Sequence, residues 1–285
     1  MQEMQNPPTF LGIGVQKAAT TWLARMVEQH PEVSLPQEKE VHFFNIVENY
    51  QKGILWYQDQ FAATPKTKAI GEFTPNYFWT SPYKVLDREG IRLQNEQIPR
   101  LVHELLPDIQ LIVCLRDPVD RAVSSYFHQI RAGNIKPTES ILEAAPYHGI
   151  ESMGYYDIHF TNWLKYYPLE RFLILFYGVD IRDDTNKKKA LKRVFQHINV
   201  DDTFEPTELT SQYNYRHTDF DMRLNHYPLP KFVRRRIKKH TPAQIKKMDL
   251  WKIKVRAAER AILRERFVPH NKRLEKILGR KLPWK

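Results

Sequence analysis

The chain of 285 residues has a single cysteine, Cys114, so no disulfide can close within it. That scarcity fits a reducing compartment. No run approaches the ~20 apolar residues that a membrane-spanning helix needs. Residues 1–8 are polar and carry Glu3, unlike a secretory signal. A cytoplasmic protein with no membrane span is therefore expected. Internal repeats and low-complexity tracts are absent. So is any Cys/His spacing suited to a metal ion, and no metal is expected. Acidic charge is in deficit, with 33 Asp and Glu against 44 Lys and Arg, for a net charge of +11. The surplus favours polyanionic or phosphorylated partners and says nothing about fold.

Apolar residues make up 42% of the chain, ample for a core. No compositional break marks a boundary, so one domain over 1–285 is expected, with residues 1–8 flexible. Segments 9–15, 68–74, 109–115 and 171–177 read as buried strands. The clearest is Ile109–Leu115, apolar apart from Gln110, and Cys114 within it reads as core. Helical periodicity occupies 20–30, 97–106, the stretch after Pro118, 154–167 and 187–200. Residues 133–153 and 201–230 read as irregular, and 231–247 as a basic run. A last helix over 252–267 should stop at Pro269, with a short one ending at Gly279. Strands alternating with helices predict an α/β fold: a mainly parallel central sheet flanked by helices. Ligands of such sheets bind at the carboxyl ends of the strands.

One stretch organises this pattern. Phe10–Val15 is apolar, with Gly12 and Gly14, and the chain then passes through Lys17 to Thr20 and Thr21. That order predicts strand, tight loop and helix N-terminus, where N–H groups and the helix dipole favour an anion. Lys17 adds a cation, and Thr20 and Thr21 add hydroxyl donors or cap the helix. The reading is a phosphate site, against a plain strand–turn–helix corner with a surface lysine. It is not the Gly-x-x-x-x-Gly-Lys-Ser/Thr loop of nucleoside triphosphates, because no glycine precedes Lys17. Arg116, closing the third strand, and Ser124, about two turns into the next helix, suggest a second anion contact. Ser124 shares a polar face with Asp117, Arg121 and His128, opposite an apolar stripe including Val119, Ala122, Val123, Tyr126, Phe127 and Ile130. Residues 36–45, if extended, place Glu40 and His42 on one side and Val41 and Phe43 on the other.

The first loop resembles the 5′-phosphosulfate loop of sulfotransferases that use 3′-phosphoadenosine 5′-phosphosulfate (PAPS), matched at Gly14, Lys17, Ala19, Thr20, Thr21 and Leu23. The family's second signature is a strand ending in Arg-Asp-Pro with a serine beyond it, matched by Arg116, Asp117, Pro118 and Ser124. Lys39-Glu40-Val41-His42-Phe43-Phe44 is similar to a segment of the heparan-sulfate-type branch, the N-deacetylase/N-sulfotransferases and 3-O-sulfotransferases. There the glutamate is the proposed base. Gly154-Tyr155 with Trp163-Leu164, and Phe267, Pro269 and Asn271 with Leu278-Gly279, extend the resemblance over most of the chain.

The resemblance implies a P-loop-kinase-like fold. It implies transfer of the sulfuryl group of PAPS to a hydroxyl, less readily an amine, of a carbohydrate or small-molecule acceptor. The product nucleotide is then 3′-phosphoadenosine 5′-phosphate (PAP). Gly14, Lys17, Ala18, Ala19, Thr20, Thr21 and Trp22 are implied at its 5′ end, and Arg116 and Ser124 at its 3′-phosphate. Arg216 falls in the irregular, basic region 201–250, implied to cover nucleotide or acceptor. Lys17 would stabilise the leaving group, Glu40 would take the acceptor proton, and His42 would orient Glu40 or the acceptor. No nucleic-acid partner is implied, and oligomeric state stays open. Phe73 follows Glu72 where several glycan-modifying members carry a lysine, which sets this chain apart from them. A late cysteine pair and a membrane anchor are also missing, as in soluble bacterial-type members. Two other readings are a nucleotide or metabolite kinase with Asp117 as a metal ligand, and an inactive basic polyanion-binding protein.

Overall fold

The computed structural model describes residues 6–80, 86–87, 90–91, 95–207, 209, 219–227, 229–246, 248 and 252–284. Arg216, residues 1–5 and parts of the 201–250 region lie outside them. The chain divides into two compact units. The first comprises Met1–Asp117, Tyr155–Tyr213 and His270–Lys285; the second comprises Pro118–Gly154 and Asn214–Pro269.

The first unit holds the sheet strands β1 (Phe10–Gly14), β2 (Val33–Ser34) and β3 (Ala69–Phe73). A two-stranded hairpin follows, β4 (Leu86–Asp87) with β5 (Gly90–Ile91), and then the sheet strands β6 (Gln110–Leu115) and β7 (Phe172–Phe176). The five sheet strands run in the order β2-β3-β1-β6-β7, every pair parallel. β1 and β3 are buried throughout, and β6 at every residue but Gln110. That is how strands covered on both faces read. Gly12 lets β1 pass β3 closely, since a Cβ there would sit 2.0 Å from the Phe73 ring. Around the sheet lie α1 (Thr20–Glu28), α2 (Val47–Gln51), α3 (Gly53–Gln58) and α4 (Ile98–Leu105). α1 buries Trp22, Leu23, Met26 and Val27, the apolar positions its spacing predicts.

The second unit begins with α5 (Pro118–Ala132) and α6 (Ile141–Ala144), the latter opened by a Ser140–Glu143 capping box. The first unit resumes with α7 (Tyr156–Trp163), α8 (Tyr177–Asp180) and α9 (Asp184–His197), where the Asp183 side chain caps α9. The second unit resumes with α10 (Asp219–Asn225), α11 (Lys231–His240) and α12 (Ala243–Lys246). One helix, α13 (Ala257–Leu278), runs through Pro269, where the sequence predicts a stop. Proline removes one ladder bond, but Leu263, Phe267 and Leu274 are buried on both sides of it and hold the helix together.

α5 corrects one expectation. Arg121, predicted on the polar face, is fully buried, while Val123 and Phe127 of the predicted stripe are only partly so. Arg121 Nη2 donates to the Gly149 carbonyl at 3.0 Å and to that of Ile150. It clamps the loop before residue 151, and the charge tolerates burial because it is hydrogen-bonded. Among the described residues no helix is long and apolar enough to cross a membrane.

Candidate functional site

The strand–loop–helix reading of the first stretch is what forms. Lys17 and Ala19 adopt left-handed backbone angles, φ 72° and 64°, the region a β-carbon disfavours. Each such residue costs about 1–3 kcal/mol and persists only where its surroundings hold it. Ala19 is the N-cap of α1, and no side chain caps the helix. The cap expected of Thr20 or Thr21 does not form, because the N-cap position falls on alanine. The first-turn N–H groups of Thr20–Trp22 precede the intrahelical ladder. The two left-handed residues, Lys17 and Ala19, turn the backbone just ahead of these N–H groups. Gly14 has a packing reason of its own: a Cβ there would lie 2.7 Å from Phe78 Cβ. Thr20 is buried, and Lys17, Ala19 and Thr21 are partly exposed. Trp22 Nε1 donates to the Leu209 carbonyl at 3.1 Å.

Arg116 meets this loop. Its Nη1 donates to the Lys17 carbonyl at 3.0 Å, and its guanidinium lies 4.7 Å from the Tyr177 ring centroid. The Arg116 carbonyl accepts the Tyr156 hydroxyl at 2.9 Å. Neighbouring parallel strands β1 and β6 thus deliver Lys17 and Arg116 to one place. Ser124 is partly buried on α5 of the second unit. Cys114 is fully buried, which pushes its thiol far up.

The Glu40 segment is not extended throughout, the condition on which its alternation is read. His42 has φ 56°, a left-handed residue that turns the chain. Val41 and Phe43 are nevertheless buried, and Glu40 and His42 still meet, with His42 Nε2 3.4 Å from Glu40 Oε2. Lys39 Nζ pairs with Glu40 Oε1 and also reaches the Phe73 carbonyl at 3.4 Å. Asn45 Oδ1 sits 3.1 Å from His42 Nδ1 and fixes the ring. Burial raises the Glu40 pKa, but the His42 hydrogen bond and the Lys39 charge outweigh it and bring the carboxyl to about 2.

Sequence reasoning missed what holds this segment. Val41 N–H donates to Glu72 Oε2 at 3.0 Å, and the Val41 carbonyl accepts Asn49 Nδ2 at 2.9 Å. Glu72 is fully buried in β3. Its Oε1 accepts the hydroxyls of Tyr57 at 2.8 Å and Tyr77 at 2.9 Å, and its Oε2 accepts that of Thr74. Burial pushes its carboxyl up against those four donors. The available signal was a lone carboxylate inside a buried strand, and an asparagine three positions after His42.

The parts amount to a helix N-terminus that no side chain caps, with Lys17 and Arg116 beside it, and a partly exposed carboxylate, Glu40, on a segment bonded to Glu72 of β3. A cavity of about 760 Å³, lined by Thr80, Asp157, Lys165 and Arg273 among others, contains none of these residues. Among the described residues no cluster of His, Cys, Asp or Glu could hold a metal ion.

The family described as "Sulfotransferase domain" matches residues 7–222. The chain is 32% identical over 177 residues to mouse heparan sulfate glucosamine 3-O-sulfotransferase 6, covering 59% of this chain and 46% of the relative. It is 31% identical over 229 residues to mouse bifunctional heparan sulfate N-deacetylase/N-sulfotransferase 4, covering 70% of this chain and 24% of the relative. The chain thus spans under half the length of each. A solved sulfotransferase from Alicyclobacillus acidocaldarius shares the fold with TM-score 0.68 and 19% identity, covering 97% of this chain and 98% of that one.

Proposed function

The chain belongs to the sulfotransferase domain family, and we propose that it moves the sulfuryl group of PAPS to a hydroxyl, less readily an amine, of a carbohydrate or small-molecule acceptor. The observation that carries the reading is Arg116 bonded to the Lys17 carbonyl at 3.0 Å, beside an α1 N-terminus that no side chain caps. Two cationic residues and a set of first-turn N–H groups suit one ligand with several anionic groups. A nucleotide phosphorylated at both 5′ and 3′ positions is such a ligand.

PAPS, when bound, supplies an activated sulfuryl group whose departure leaves charge on the bridging phosphate oxygen. Lys17 and the N–H groups of Thr20–Trp22 stabilise that charge as it grows. Arg116 and, on the sequence signature alone, Ser124 take the 3′-phosphate. Arg216 is assigned to cover the nucleotide by its place in the sequence alone, with no matching signature. Glu40 accepts the acceptor's proton. Near a pKa of 2 it is ionised at neutral pH yet weakly basic. Any anionic group that drew Lys39 Nζ from Glu40 would remove one of its holds and strengthen the base. His42, steadied by Asn45, orients Glu40.

The test is transfer of labelled sulfate from PAPS to an acceptor panel headed by a glucosamine-containing polysaccharide, as the curated relatives' names suggest. Labelled acceptor and PAP are expected without added Mg²⁺. Turnover of ATP in Mg²⁺, with no PAP formed from any acceptor, would favour the kinase reading. Arg116→Ala should weaken PAP binding by about 1.5–3 kcal/mol, the worth of a hydrogen bond to a charged group. If wild-type affinities for PAP and adenosine 5′-phosphate prove equal, the Arg116 assignment fails.

A further inference from the structure

In the second unit, α11 presents a face to which the proposed mechanism assigns no residue. At about 100° per residue, Lys231, Phe232, Arg235, Arg236, Lys239 and His240 occupy one half of the helix circumference. All six are exposed, and no residue of α11 is buried. Phe232 stands near the middle of that half-circle and is 75% exposed. The opposite half fastens the helix. Arg234 Nη1 donates to the Asn225 carbonyl at 2.8 Å, and Lys238 Nζ to Asn225 Oδ1 at 2.9 Å. Among the described residues, none of the five basic side chains on the outer half makes an ion pair. No aspartate or glutamate occurs between Tyr227 and Met248. Further exposed apolar side chains follow the helix, Ile245 and Met248, and Lys246 Nζ ties α12 back to the Lys238 carbonyl.

We propose that this face docks on an anionic lipid surface. The charge complementarity would serve any polyanion, but the apolar members separate the candidates. A phenylalanine ringed by cations, with aliphatic side chains beside it, gains by leaving water for hydrocarbon. A polysaccharide or nucleic-acid backbone offers none. A cationic helix face carrying an aromatic wedge is the pattern of interfacial helices. Its lysines and arginines add attraction to anionic headgroups within a Debye length.

The full chain is sedimented with vesicles of phosphatidylcholine alone and of phosphatidylcholine with an equal part of phosphatidylglycerol. Binding to the mixed vesicles only, weakened by salt, is expected. Phe232→Ser removes a solvent-facing ring, so the fold, checked by circular dichroism, should persist while partitioning falls about tenfold. Arg235→Glu with Arg236→Glu should abolish it. Phe232→Trp should bind and gain blue-shifted emission on the mixed vesicles. Absence of binding to those vesicles, or equal partitioning of wild type and Phe232→Ser, overturns the proposal. So does retention on heparin or single-stranded DNA that depends on Arg235 and Arg236 while vesicles are ignored; the face would then belong to a soluble polyanion.

Discussion

Glu40 and Glu72 lie on either side of Val41, and their carboxyls are driven in opposite directions. Glu40 is about a third exposed and answers to the neighbouring Lys39 and His42, which hold it near a pKa of 2 despite partial burial. Glu72 is fully buried and answers to fixed hydroxyls and one backbone N–H, and burial pushes its carboxyl up. The difference separates a group that can meet a ligand from one that positions it. Glu40 and its partners Lys39 and His42 are all partly exposed; Glu72 has four donors that cannot move without leaving polar groups unpaired. Sequence alone presents both as acidic residues beside apolar ones.

The comparison breaks most sharply at Glu40→Gln. Turnover should fall by roughly 10²–10⁴, as for loss of a general base, while PAP affinity stays near wild type. Near-normal turnover would remove Glu40 from the chemistry. Glu72→Ala should do the reverse first. It leaves the Tyr57 and Tyr77 hydroxyls and the Val41 N–H without their acceptor, costing about 2–4 kcal/mol of stability by denaturant titration. A Glu72→Ala protein as stable as wild type would mean that the cluster does not anchor the Glu40 segment. Asn45→Ala frees one side of the His42 ring, so kcat should drop by about threefold to tenfold, the worth of one hydrogen bond. An unchanged kcat would show that His42 needs no such support.

The smallest effect is a pair of pH trends. Glu40's pKa is lowered from 4.5 to about 2, so its contribution to stability is whole above pH 4.5 and is lost as pH falls toward 2. Glu72's is raised, so its contribution is whole below pH 4.5 and is lost as pH rises through the folded value. The stability gap between wild type and Glu40→Gln should therefore close on acidification. The gap to Glu72→Gln should close on alkalinisation. Parallel trends would contradict the opposed environments.

Much of the framework was legible because it is local. Four of the five sheet strands, the α1 stripe and the loop at Lys17 follow from runs and periodicities within a dozen residues. β2, two residues long, carries too little pattern to show. Arg116 was legible as a strand-end cation, because parallel β1 and β6 open toward the same side. Arg121 was not, since a basic residue among Asp117, Ser124 and His128 looks solvated until the carbonyls of Gly149 and Ile150 are seen around it. The continuous helix through Pro269 was misread because the proline penalty is local and the burial that outweighs it is not.

By itself, then, the sequence determined which segments extend or coil, and that one loop would gather N–H groups and a lysine before a helix. Glu40 and His42 come together for a reason it does not contain. The bond between the Val41 N–H and Glu72 spans 31 positions, and His42 adopts a left-handed φ of 56° that alternation cannot express. Only the tertiary structure brought β3 beneath that segment. Only there do burial, hydroxyls and neighbouring charge decide which carboxylate stays available and which is locked away.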